Sequence, residues 1–95
     1  QIWLDLERLS MPLVVRTRRP GDRFRPLGMD GHSIKLSDFF INVKLPRRAR
    51  GGWPLVLSGE EIAWVPGFRL GHAFCIREGT KQMARLILEP SHPRD

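Results

Sequence analysis

A single cysteine, three dispersed histidines and no apolar run near the roughly 18 residues needed to cross a bilayer are the first features of this 95-residue chain. Cys75 alone cannot form an internal disulfide, and between two apolar neighbours in a strand-like stretch it reads as a buried, inert thiol. His32, His72 and His92 lack metal-ligand spacing, so no metal site is expected. The opening Gln1-Ile2-Trp3-Leu4-Asp5 has neither the basic region nor the long apolar stretch of a secretory signal. The chain therefore reads as soluble and cytoplasmic, with no membrane partner. Its first methionine is Met11, which suggests a piece of a longer protein. Catalytic signatures are missing too: there is no Gly-x-x-x-x-Gly-Lys-Ser/Thr or Gly-x-Gly-x-x-Gly loop and no serine nucleophile elbow. Asp22 with His32 could be drawn as an acid/base pair, but a loop-organising Asp22 and an exposed His32 fit better, and no catalytic residue is assigned.

What is present suits one small folded unit. A chain this short holds one domain, 41% apolar residues can fill a modest core, and 27% charged residues can solubilise it. The charge is unevenly placed. Of 16 bases and 10 acids, residues 16–50 hold ten bases against Asp22, Asp30 and Asp38, while the flanks are close to neutral. The whole +6 excess thus sits in the central third, where a generic soluble domain would interleave its signs.

Residues 13–18 read as a strand that puts Arg16 and Arg18 on the face opposite Leu13, Val15 and Thr17. Pro20-Gly21-Asp22 forces a turn, and residues 23–31 are too rich in proline and glycine for regular structure. With Ser33 as N-cap, Leu36, Phe39, Phe40 and Val43 make an apolar helical stripe flanked by Lys35 and Lys44. Pro46 opens a second short helix carrying Arg47, Arg48 and Arg50, which Gly51-Gly52 ends. Residues 55–58 and 61–65 form a hairpin around Gly59-Glu60, and 73–77 and 83–88 are further strand candidates. Trp53 and Trp64 read as core or hairpin-face residues, and residues 90–95 as a fraying tail. The fold class is α+β, with the helices in the basic middle.

Eight of the ten central bases are arginine, whose planar guanidinium binds phosphate oxygens in pairs. A strand end, a loop and two helices each supplying bases can track a phosphate backbone; a merely solvated basic face is the alternative.

The motifs in order are Arg18-Arg19-Pro20-Gly21-Asp22-Arg23-Phe24-Arg25-Pro26-Leu27-Gly28, Lys35-Leu36-Ser37-Asp38-Phe39-Phe40, Lys44-Leu45-Pro46 with Arg50, Trp53-Pro54-Leu55-Val56 and Ile62-Ala63-Trp64-Val65-Pro66-Gly67. Over residues 13–88 the series resembles the C-terminal substrate-binding domain of the bacterial tRNA(Ile)-lysidine synthetases. The resemblance implies residues 1–12 as a lead-in from a preceding domain, residues 13–89 as the tRNA-binding domain, and a fold similar to a domain of the phenylalanyl-tRNA synthetase β subunit. It also implies an ATP-dependent ligase that joins lysine to the wobble cytidine of tRNA(Ile) with a CAU anticodon. ATP and Mg belong to a catalytic N-terminal domain of the same enzyme. That domain's Ser-Gly-Gly-x-Asp-Ser loop does not occur here, so this chain should be inactive alone and hold no cofactor. The partners implied are the tRNA(Ile) acceptor stem and the catalytic domain, with a homodimer of the full-length protein left open. Arg18, Arg23, Arg25, Lys35, Lys44 and Arg50 match the family's basic positions, Arg47 joins them from the same cluster, and Asp22 is the loop organiser. Ser37 departs from the pattern, because many members carry another lysine there.

Overall fold

The computed structural model describes residues 1–89; the predicted fraying tail, residues 90–95, lies outside them. Eight strands and two short helices follow in the order β1 (Ile2–Asp5), β2 (Leu13–Arg16), β3 (Arg23–Phe24), β4 (Ile34–Lys35), α1 (Leu36–Asn42), α2 (Arg47–Arg50), β5 (Leu55–Ser58), β6 (Glu61–Val65), β7 (Arg69–Leu70) and β8 (Met83–Leu86). They form an antiparallel four-stranded sheet of order β2-β5-β6-β7 and two ribbons, β1-β8 and β3-β4. This is the α+β architecture expected. No helix is long and apolar enough to cross a membrane among the described residues.

The hairpin β5-β6 turns at Gly59, whose φ of 59° is the left-handed geometry that glycine adopts without cost. Both strands are almost wholly buried, because the sheet is covered on one side by α1 and on the other by the β1-β8 ribbon. Two core clusters result. The first joins Phe24, Leu36, Phe39, Phe40 and Leu45 to Leu55, Leu57, Ile62 and Val65, with the Phe24 and Phe39 rings edge to face at 5.0 Å. The second joins Leu4, Ala63, Leu70 and Phe74, backed by Ile2 and Leu86 from the ribbon. Trp64 is buried in β6, and half-buried Trp53 donates its indole N–H to the Pro66 carbonyl at 2.9 Å.

Several local expectations change. Helix α1 begins at Leu36, because Ile34 and Lys35 stay extended to pair with Phe24 and Arg23; Ser33 accepts a hydrogen bond from Arg23 Nε and does not cap the helix. The stripe Leu36, Phe39, Phe40 is buried with Val43 packed beside it, but Lys35 and Lys44 stand at the helix ends and not on its flanks. The proline- and glycine-rich stretch 23–31 contains strand β3 and a bridge from Pro26 to Gly71. Residues 73–77 are no strand: a 3-10 turn spans His72–Phe74, and Cys75 is half-buried against the second core, accepting a hydrogen bond from Arg77 Nε at 3.3 Å. Residues 1–12 carry β1 and place fully buried Leu4 in the second core. On β2, an edge strand, Val14 and Val15 are both exposed, so the apolar and basic faces do not separate cleanly there.

Candidate nucleic-acid interface

The basic residues gather around a turn that one carboxylate organises. Arg19-Pro20-Gly21-Asp22 is closed by the Asp22 N–H donating to the Arg19 carbonyl, with proline second and Gly21 third at φ 84°, the geometry of a type II turn. Asp22 receives the Arg16 guanidinium in a forked pair of hydrogen bonds, 2.9 Å each, and the Arg19 N–H at 2.8 Å. Its own carbonyl accepts the Leu36 N–H at 3.0 Å. A single residue thereby ties the end of β2, the turn and the start of α1 together. The two side chains of the ion pair are only 16% and 15% exposed. The hydrogen bonds from Arg16, then that of the Arg19 backbone, hold the Asp22 carboxyl below the usual carboxylate range against the opposing effect of burial, and Arg16 is pushed up in turn.

Around this hub Arg18 and Arg19, both exposed, line an open cleft of about 340 Å³ with Gly21, Leu36 and Ser37. Ser37 faces the same opening as Arg18. Arg23 and Lys35 are direct cross-strand partners in β3-β4 and both are exposed. Like charges opposite one another destabilise an antiparallel pair, so this pairing works against β3-β4 in the free protein and would be eased by an anion beside it. Arg23 is oriented by donating to the Ser33 hydroxyl at 2.9 Å and the Ser33 carbonyl at 3.1 Å. Arg25 projects to the same side, since buried Phe24 lies between them, but the cleft it shares with Arg23 and Ser33 also holds Glu60 and Glu61.

At the other end of α1, Lys44 has φ 62°. Its N–H donates to the Ile41 carbonyl and the Leu45 N–H to the Phe40 carbonyl, each at 3.0 Å, the hydrogen bonds of a Schellman motif. Glycine is the usual occupant of that position. Lysine there retains a charge at a backbone cost of about 1 kcal/mol. Arg47 and Arg48 are exposed on α2, whereas half-buried Arg50 spends its Nε–H on the Leu45 carbonyl at 2.9 Å, bracing the junction between the helices.

The fold thus brings Arg18, Arg23 and Lys35 to the start of α1 and Lys44 and Arg47 to its far end. Arg16 is removed from the free bases by its ion pair. Two arginines not singled out from the sequence join the set. Arg19 lines the Arg18 cleft, and Arg69 of β7 reaches back to donate to the Leu27 carbonyl at 3.1 Å, its guanidinium 5.9 Å from the Phe39 ring centre. Arg19 was within reach of the charge count; Arg69 is separated from Leu27 by 42 positions, and nothing in the local sequence announces that contact. Among the described residues no group of three or more His, Cys, Asp or Glu is placed to hold a metal ion.

The tRNA(Ile)-lysidine synthase of Symbiobacterium thermophilum is 46% identical over 88 residues, 93% of this chain and 18% of the relative. That of Dehalococcoides mccartyi is 41% identical over 85 residues, 88% of this chain and again 18% of the relative. The chain therefore spans about a fifth of the length of these relatives. A crystal structure of a TilS C-terminal domain superposes with a TM-score of 0.67 at 40% identity, covering 78% of this chain and 58% of that one. The model of the TilS substrate C-terminal domain matches residues 13–88, and this chain belongs to that family.

Proposed function

We propose that this domain binds the acceptor-stem side of tRNA(Ile) through the face formed by Arg18, Arg19, Arg23, Lys35, Lys44 and Arg47. It acts as part of a cytoplasmic, ATP-dependent ligase that attaches lysine to the wobble cytidine of the CAU anticodon to form lysidine. In that enzyme the chemistry, with its ATP and Mg, belongs to a separate N-terminal domain; this domain selects and holds the substrate. The observation that carries the reading is the pairing of Arg23 directly across from Lys35, beside a turn anchored to the same helix start. Repulsion of that kind is tolerated where a polyanion relieves it. An A-form stem offers phosphates and 2′-hydroxyls across a wide, shallow minor groove, and exposed bases at both ends of a short helix suit that surface better than a deep groove.

The test is a salt titration of tRNA(Ile) binding to the full-length protein, wild type against Arg23→Ala/Lys35→Ala. Loss of two phosphate contacts lowers the affinity and flattens the dependence of log K on log salt by about 0.7–0.9 per contact. The other reading makes the domain an inter-domain or dimerisation module without RNA contact. It predicts unchanged affinity and slope, with altered assembly instead.

A further inference from the structure

The ribbon β1-β8 has a second face that the basic interface does not use. Its inner side chains, Ile2, Leu4 and Leu86, pack on the second core. Period-two alternation turns Trp3, Met83 and Arg85 the other way, with Trp3 directly opposite Arg85, and exposed Ile87 follows just after the end of β8. Trp3 is 48% exposed, Met83 58% and Ile87 53%, and the Arg85 guanidinium lies 6.0 Å from the Trp3 ring centre. Asp5, the one acid on this side of β1, is buried and bonded to the Glu7 N–H and the Thr80 hydroxyl. The result is an apolar strip with one cation at its centre. Tryptophan, methionine and arginine are among the residue types enriched in protein interfaces.

We propose that this face is the docking surface for the polypeptide that precedes it in the full-length enzyme. The domain is the C-terminal one of its family, and the segment shared with the relatives is 18% of their length, so most of such an enzyme lies on the N-terminal side. A chain arriving at Gln1 reaches Trp3 within roughly 7 Å, two residues of extended backbone. Tethering at that distance gives the preceding domain an effective concentration near the millimolar range, far above that of a second copy free in solution, which favours it as the occupant of a small strip. None of the strip's four side chains belongs to the basic face, and the proposal does not rest on RNA binding.

The test is oxidative footprinting of the full-length protein. Met11, 65% exposed, and Met83 have similar exposure in the isolated fold and should oxidise at similar rates if Met83 is uncovered. Docking predicts that Met83 oxidises at least about fivefold more slowly than Met11, independently of protein concentration and of added tRNA, and that Trp3→Lys or Ile87→Glu raises its rate to that of Met11. Equal rates in the wild type overturn the proposal. So does protection that vanishes on dilution, which assigns the face to a second copy, or that appears only with tRNA, which assigns it to RNA. Insensitivity of the Met83 rate to both substitutions overturns it as well.

Discussion

Asp22 accepts two parallel hydrogen bonds from Arg16, each 2.9 Å long, and a third from the Arg19 backbone, while its own carbonyl receives the Leu36 N–H. The most basic stretch of the chain is therefore shaped by a carboxylate. Arg16 is the cost of that arrangement, one guanidinium withdrawn from the free charge so that Arg18 and Arg19 are presented on a fixed turn.

Asp22→Asn keeps the shape of the side chain and removes its charge. Replacing a charge-assisted, forked contact with a neutral one should destabilise the domain by about 2 kcal/mol. It should also weaken tRNA binding although a negative charge has been lost, which simple electrostatics would favour. Denaturant midpoints and tRNA affinities measured on the same protein separate the two effects; tighter binding by the variant would refute the organising role.

The same pair sets a pH response. Because the folded carboxyl titrates below its unfolded value, its stabilisation is fully present above the unfolded value, about 3.9, and is lost as pH falls through the lower folded one. The stability difference between wild type and Asp22→Asn should stay constant from neutrality to mildly acid pH, then close as Asp22 protonates. Thermal unfolding across an acid pH series measures it.

Arg18→Ala and Arg50→Ala should differ in kind. Arg18 is exposed and faces an open cleft, so its loss should lower tRNA affinity and salt slope with stability unchanged. Arg50 braces the Leu45 carbonyl, and its loss should cost about 1 kcal/mol of stability, with a smaller change in slope.

Lys44→Gly should move stability and binding in opposite directions. Glycine relieves the left-handed strain and should stabilise the domain by about 1 kcal/mol, while removing a base from the interface and lowering tRNA affinity. Calorimetry paired with a binding assay gives both signs.

Gly71→Ala tests the packing between β6 and the 3-10 turn that follows β7. The residue has ordinary backbone angles, but an added Cβ would lie 2.7 Å from the Ile62 carbonyl oxygen and 3.1 Å from the Phe74 ring. The strand cannot retreat without breaking the second core, so a loss of about 3 kcal/mol is expected in equilibrium unfolding.

Much of this fold was legible because its signals are local. The spacing of Leu36, Phe39, Phe40 and Val43 specifies a helix wherever it packs, and Gly59-Glu60 between two apolar runs specifies a hairpin. Two-residue strands carry no periodicity. Hence the local sequence predicts loop and helix start where β3 and β4 form, and a strand where Ala73, Phe74 and Cys75 form a turn, since a short apolar run looks alike in both.

By itself, the sequence determined the α+β class, the concentration of charge in residues 16–50 and the motifs that mark the family, all properties of composition and near-neighbour order. Only the tertiary structure decided which charges are free. Pairing of β3 with β4 sets Arg23 against Lys35, the Asp22 turn takes Arg16 out of play, and β7 carries Arg69 across to Leu27. The same holds for β1, which closes on β8 from the opposite end of the chain and leaves Trp3 beside Arg85 on a bare face. The reason is physical. A side chain's charge is a local fact, but its neutralisation depends on burial and on partners brought near by packing, and those partners are set by the cores that form beneath them.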